Sequence, residues 1–89
     1  MVRITFPAVM QRHIAAPDME ADGRTVAEVL ASAFRARPDL RSYILEDDGS
    51  LRHHMAMFVD GNQLVDRVAL ADRVRPDSRI DVLQALSGG

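Results

Sequence analysis

Apolar and polar positions alternate over the first residues of the chain: Val2, Ile4 and Phe6 fall on one side, Arg3 and Thr5 on the other. That two-residue period predicts a half-buried strand. Pro7, which has no amide hydrogen to give a sheet, ends it. The next segment is weaker. Ile14 to Met19 has enough apolar character for a second strand, but Pro17 makes it irregular or puts it at an edge. Asp22-Gly23 reads as a turn. From Thr25 the period changes. Val26, Val29, Leu30, Ala33 and Phe34 recur at the spacing of one helix face. Thr25 with Glu28 fits a capping box. Arg35 and Arg37 stand at the negative end of the helix dipole, and Pro38 stops the run. The spacing predicts a helix over 25–37 whose apolar stripe is core rather than a partner-binding face.

Past the helix, 42–45 reads as a short extended piece and Glu46-Asp47-Asp48-Gly49 as a turn. Strand signals return over 54–59 and again at Gln63-Leu64-Val65. Between them lies Asp60-Gly61-Asn62, the strongest hairpin signal in the chain. Residues 68–74 are ambiguous and have room for a helical turn. Pro76-Asp77-Ser78 is a turn, and 79–85 is a last strand with Ile80 and Val82 on one face. A single helix accompanied by several strands must bury its stripe against one face of the sheet. The first two strands are too close in sequence to need a crossover and pair as a hairpin, leaving the first and last strands central and parallel. The expected class is α+β: a β-grasp (ubiquitin-like) arrangement, with a mixed sheet of four to five strands packed on one main helix.

With 89 residues the chain has room for one domain, divided here into a body over 1–85 and a flexible tail over 86–89. Apolar residues make up 47%, enough for a core. A formal net charge of −2 argues against a nucleic-acid partner, which would call for a basic stripe. There is no cysteine, hence no disulfide, no thiol nucleophile and no thiolate metal site. A reducing cytoplasm is therefore the expected location. No apolar run approaches the roughly 20 residues of a membrane span, and the N-terminus lacks a signal-peptide core. All 11 basic residues are arginine. GC-rich coding accounts for that; so does a benefit from carrying no amine that an activated C-terminus could acylate. The two readings are compatible.

The candidate chemistry lies at the end of the sequence. At a glycine frequency of about 7%, two given terminal positions are both glycine in roughly one protein in 200. Here Gly88-Gly89 directly follows the last predicted strand, along an uncharged approach from Val82 to Ser87. Phe58-Val59-Asp60-Gly61, the segment Asp77-Ser78-Arg79-Ile80-Asp81-Val82-Leu83 and the tail Leu86-Ser87-Gly88-Gly89 resemble the MoaD/ThiS family of ubiquitin-like sulfur carriers. The opening strand and the helix after Thr25 match in position. Two departures stand out: Asp60-Gly61 where Asn-Gly is common, and a loop over 46–54 with three acids that matches no one branch of the family.

The resemblance implies that a ThiF/MoeB-like adenylating enzyme, using ATP, activates the Gly89 carboxylate as an acyl adenylate. Sulfur then replaces oxygen, and the thiocarboxylate donates sulfur to a sulfur-accepting synthase in cofactor or metabolite biosynthesis, whether molybdopterin, thiamine, cysteine or similar. Leu86, Ser87 and Gly88 form the tail leading to Gly89. Glycine, having no Cβ, suits a chain end threaded into a narrow channel. Residues 84–89 extend roughly 20 Å at ~3.3–3.6 Å each. Since Gly89 closes the sequence, no processing step is expected. The family also docks through the open face of its sheet, for which Met55, Met57, Phe58, Leu83 and Ala85 are candidates, with Leu86 beside them. Alternation separates Met55 and Met57 from Phe58, and whichever set faces the helix is core.

No enzyme active site is visible, so the protein is expected to act as a co-substrate, with no bound cofactor and no catalytic or metal-ligating residues of its own. His53 and His54 are adjacent, point to opposite faces of a strand and lack further ligands. Asp47-Asp48 beside Gly49 reads as a solvated turn. Two alternatives share the same residues: a ubiquitin-like modifier conjugated through Gly89, and an interaction domain whose tail is never activated.

Overall fold

A computed structural model describes residues 1–85. Strands β1 (Val2–Thr5), β2 (Met19–Ala21), β3 (Met55–Val59), β4 (Asn62–Gln63) and β5 (Arg79–Gln84) form one sheet in the order β2-β1-β5-β3-β4. β1 and β5 are parallel and central, with Arg3 opposite Arg79 and Thr5 opposite Asp81. The other pairs are antiparallel. Helix α1 (Val26–Ala36) covers one face. This is the expected β-grasp, with five strands.

Alternation decides which side of the sheet is core. Val2 and Ile4 of β1, Met55 and Met57 of β3, and Ile80 and Val82 of β5 all face the helix and are buried. They meet the α1 stripe of Val26, Val29, Leu30, Ala33 and Phe34, every member of which is buried as its spacing requires. Thr25 Oγ1 accepts the Glu28 amide at 3.2 Å, while the Glu28 carboxylate accepts from the Arg24 amide at 3.0 Å. The reciprocal cap thus reaches one residue further back than a capping box, whose return bond goes to the cap residue itself. Gly23 lies against this first turn: a Cβ there would stand 2.6 Å from the Val29 nitrogen. Its turn signal therefore reflects a close approach to the helix.

Three sequence-based expectations need correction. Residues 42–45 are mostly helical rather than extended. Pro38 opens a 3-10 turn (Pro38–Leu40) that runs into α2 (Arg41–Ile44). Proline at a first helical position loses no hydrogen bond, and Leu40 and Ile44, four apart, are both fully buried. Only Leu45 is extended, bridged to Leu51. The second strand begins at Met19, later than the 14–19 reading. A 3-10 turn at Met10–Arg12 and the Gln11 side chain, which bonds both the amide and the carbonyl of Ala16, hold the preceding stretch in a loop.

The third correction concerns the strand after the hairpin, which is only two residues long. Asp60 and Gly61 have φ of 51° and 85°, the positive pair a type I′ turn requires. Beyond Gln63, however, the amides of Val65 and Asp66 turn to the Asp72 carboxylate. Asp66 in turn accepts from the amides of Val68, Ala69 and Ala71. These amide bonds hold the Asp66 carboxyl below its ordinary pKa. The ambiguous stretch over 68–74 is thus a carboxylate-organised loop that plugs buried Leu70 into the core.

Candidate functional site

β5 runs up the middle of the sheet and outlasts β1, whose last partner is Thr5 opposite Asp81. Its final residues pair with β3 alone, Leu83 with Ala56 and Gln84 with Met55. The Ala85 amide adds one more bond, donating to the His54 carbonyl at 2.8 Å. A central strand therefore delivers the chain to one end of the sheet, still hydrogen-bonded at its last described residue. Leu86, Ser87, Gly88 and Gly89, expected to form the reactive tail, lie outside the described residues.

The open face of the sheet divides in two. Toward β2 it is polar: Arg3 pairs with Asp18 at 2.6 Å, and Asp81 accepts from Thr5 Oγ1 at 2.7 Å and Arg79 Nε at 2.6 Å. Partial burial pushes the Asp81 carboxyl up, but the Arg79 guanidinium and the Thr5 hydroxyl outweigh it and hold it below the usual range. Toward the tail exit the face is apolar. Ala56 on β3 stands opposite Leu83 on β5, with Phe58 diagonal to Leu83 and opposite Asp81, and Leu83 is 44% exposed. Ala85 follows at the edge, half-buried.

The candidate docking residues separate accordingly. Phe58, Leu83 and Ala85 belong to the half-face beside the exit. Met55 and Met57 do not: at 3% and 0% exposure they are core, because the phase of β3 turns them toward α1. Ala56 takes their place. The alternation that groups Met55 with Met57 also places Ala56 on the opposite face beside Phe58, but so small a side chain gives little apolar signal. The polar half-face had no comparable signal, since Thr5 and Asp81 meet only through the parallel pairing of strands far apart in sequence.

His53 and His54 occupy the turn before β3, their rings edge-on at 5.8 Å, rather than opposite faces of a strand. Among the described residues, no group of three acids or histidines is placed to hold a metal ion. Asp48 accepts from the amide and hydroxyl of Ser50, which lower its pKa and close the exposed turn. On the helix side of the β5 end, an apolar concavity of about 260 Å³ is lined by Met10, His13, Tyr43, His54 and Gln84. No helix among the described residues is long and apolar enough to cross a membrane.

No protein-family model and no curated protein matches the sequence. Solved structures do match. A chain in the crystal structure of the Amycolatopsis orientalis BexX/CysO complex superposes with a TM-score of 0.82 at 19% identity, covering 100% of both chains. The crystal structure of Mycobacterium tuberculosis CysO gives 0.82 at 16% identity, over 97% of this chain and 100% of that one. The solution structure of the small archaeal modifier protein 1 (SAMP1) from Methanosarcina acetivorans gives 0.77 at 22%, over 99% and 95%. At these identities the likeness shows a ubiquitin-like β-grasp across the whole chain.

Proposed function

We propose that this chain is a ubiquitin-like sulfur carrier of the MoaD/ThiS kind, whose working group is the Gly89 carboxylate. The observation that carries the reading is the joining of an apolar half-face (Ala56, Phe58, Leu83) to the exit of a central strand that leads into Gly88-Gly89. A partner seated on that half-face holds the body still while the tail enters its active site. The whole-chain likeness to structures of CysO supports the same reading.

A carboxylate is a poor electrophile. In the proposed sequence a ThiF/MoeB-like adenylating enzyme binds ATP; this chain binds no cofactor. A Gly89 carboxylate oxygen attacks the α-phosphorus and pyrophosphate leaves. A sulfur nucleophile then adds to the acyl carbon and AMP departs, leaving a thiocarboxylate that a sulfur-accepting synthase consumes. The body contributes no catalytic residue. It presents the tail and offers the docking face.

A second reading is favoured by the likeness to small archaeal modifier protein 1: the same acyl group, transferred to amines of other proteins. One experiment separates the two. Untagged protein is incubated with its host's extract, ATP and sulfide, with a known carrier as a positive control, and the intact mass is recorded. A gain equal to the oxygen-to-sulfur difference, absent after deletion of Gly89, is the expected result. An unchanged mass alongside a loaded control overturns both readings, whereas a ladder of conjugates favours the modifier.

A further inference from the structure

We infer that the activated Gly89 acyl group has no amine or thiol within reach on its own body, so that the amine, thiol or sulfide that takes it up belongs to another molecule and copies of the chain can form amide links only head to tail. The inference deepens the proposed reading and rests on it. It starts from the nucleophiles present. The 89 residues include no lysine and no cysteine. The 11 basic side chains are all guanidiniums, which stay protonated at any physiological pH and do not attack acyl carbons. A lysine, with a pKa near ~10.4, would keep a small neutral fraction that does.

The fold does not demand this choice. Arg37 uses the fork of its guanidinium on Asp39, and Arg67 bonds the carbonyls of Arg52 and Met55. Arg12, Arg24, Arg35, Arg73 and Arg75, by contrast, are exposed and make no side-chain hydrogen bond among the described residues. Lysine would serve the structure equally well at those five positions.

One amine remains, the α-amino group, and the topology puts it out of reach. Because β1 is parallel to β5, the start of β1 lies beside the start of β5: the Arg3 amide bonds the Ser78 carbonyl, and Arg3 pairs with Arg79. Val2 is therefore level with Ser78, seven residues before Ala85 along a strand that rises ~3.3 Å per residue, a separation of roughly 23 Å. Residues 86–89 span at most ~14 Å, and Met1 folding back adds at most ~4 Å. The tail falls short of its own α-amine. On a second copy that amine is free to attack the acyl carbon, since Met1 is 65% exposed. His54 is within the tail's range, but an acyl-imidazole is cleaved by water and returns the carboxylate.

The permitted transfer is intermolecular. An external amine or thiolate attacks the Gly89 carbonyl carbon, the bond to the leaving group breaks, and an amine gives its proton to water. An attached copy offers no side-chain amine for the next, so any further copy joins at its α-amine and the conjugate stays unbranched.

The test makes the activated acyl chemically, so that it does not depend on an adenylating enzyme. The chain is prepared as a Gly89 thioester by intein thiolysis and incubated alone, and its intact mass is followed. Its outcome is independent of the sulfur-loading experiment. The wild type is expected to give only the hydrolysed chain, plus a two-copy product that disappears when the α-amine is acetylated. Gln84→Lys and, separately, His54→Lys, both beside the exit, are expected to give a product one water lighter than the hydrolysed chain. A one-water-lighter wild-type product, or a two-copy product that survives acetylation, overturns the inference. So does failure of both near-tail lysines to cyclise.

Discussion

Asp60 takes the position where a two-residue hairpin turn accepts asparagine readily, and its surroundings give the acid a reason to be there. Oδ1 accepts the Arg79 amide at 2.9 Å and Oδ2 accepts the Ser78 hydroxyl at 2.8 Å. The same hydroxyl accepts the Arg75 amide, and Ser78 is 2% exposed. The carboxylate thus fixes the point at which β5 begins. The Arg79 amide, then the Ser78 hydroxyl, lower its pKa. A carboxyl lowered on folding contributes stability above its unfolded pKa near ~3.9, and that contribution is lost as pH falls through the folded value. Asp60→Ala is expected to cost about 1–2 kcal/mol near neutral pH, from the lost partner of a buried hydroxyl. Asp60→Asn, which keeps the turn, should cost less. For both, the gap to wild type in urea denaturation should narrow as the pH is lowered past the unfolded carboxylate value of ~3.9 and through the lower folded one. A gap that stays constant with pH would mean the carboxylate charge is not what holds β5.

At the scale of elements, the apolar period was the reliable signal and local chemistry the misleading one. The stripe of α1 and the alternation of β1 and β5 could be read because each buries one face against the other. Residues 42–45 could not, because Leu40 and Ile44 become helical neighbours only once Pro38 has restarted the chain. The end of β4 was equally hidden: the carboxylates of Asp66 and Asp72 capture amides that a longer strand would have paired. Of the candidate site, the apolar half-face was half legible. Phe58 and Leu83 were found, but the phase of β3 relative to the helix, which consigns Met55 and Met57 to the core, is a tertiary fact. Two substitutions test these assignments. Gly23→Ala drives a methyl into the backbone of the first α1 turn and is expected to cost about 1–3 kcal/mol, although its φ is ordinary. Met57→Ala should cost about 2–5 kcal/mol, as a core truncation does. A thermal midpoint unchanged by Met57→Ala would return that residue to the docking face.

For the molecule as a whole, the open face is asymmetric, and under the proposed function that asymmetry sets where a partner would dock. Its charged half is satisfied internally by the Arg3–Asp18 and Arg79–Asp81 pairs, exposed contacts that add little stability. Those pairs leave Ala56, Phe58 and Leu83 as the patch that gains by being covered. Leu83 is the most telling position, because it is exposed in the free body, stands two residues before Ala85 and makes no core contact that folding requires. Leu83→Arg is therefore expected to leave the thermal midpoint within a few degrees, in line with the roughly 0.5 kcal/mol of ordinary surface substitutions. Covering a leucine contributes about 1.5–3 kcal/mol. Its loss should slow sulfur loading of Gly89 by roughly 10- to 100-fold in kcat/KM for the activating enzyme. Arg3→Ala, on the charged half, should change loading by less than about threefold. The comparison separates a face that guides the tail from a tail recognised on its own. Loading that is indifferent to Leu83→Arg yet abolished by deletion of Gly89 would mean that the adenylating enzyme reads only the last residues, and that the apolar half-face serves a different partner.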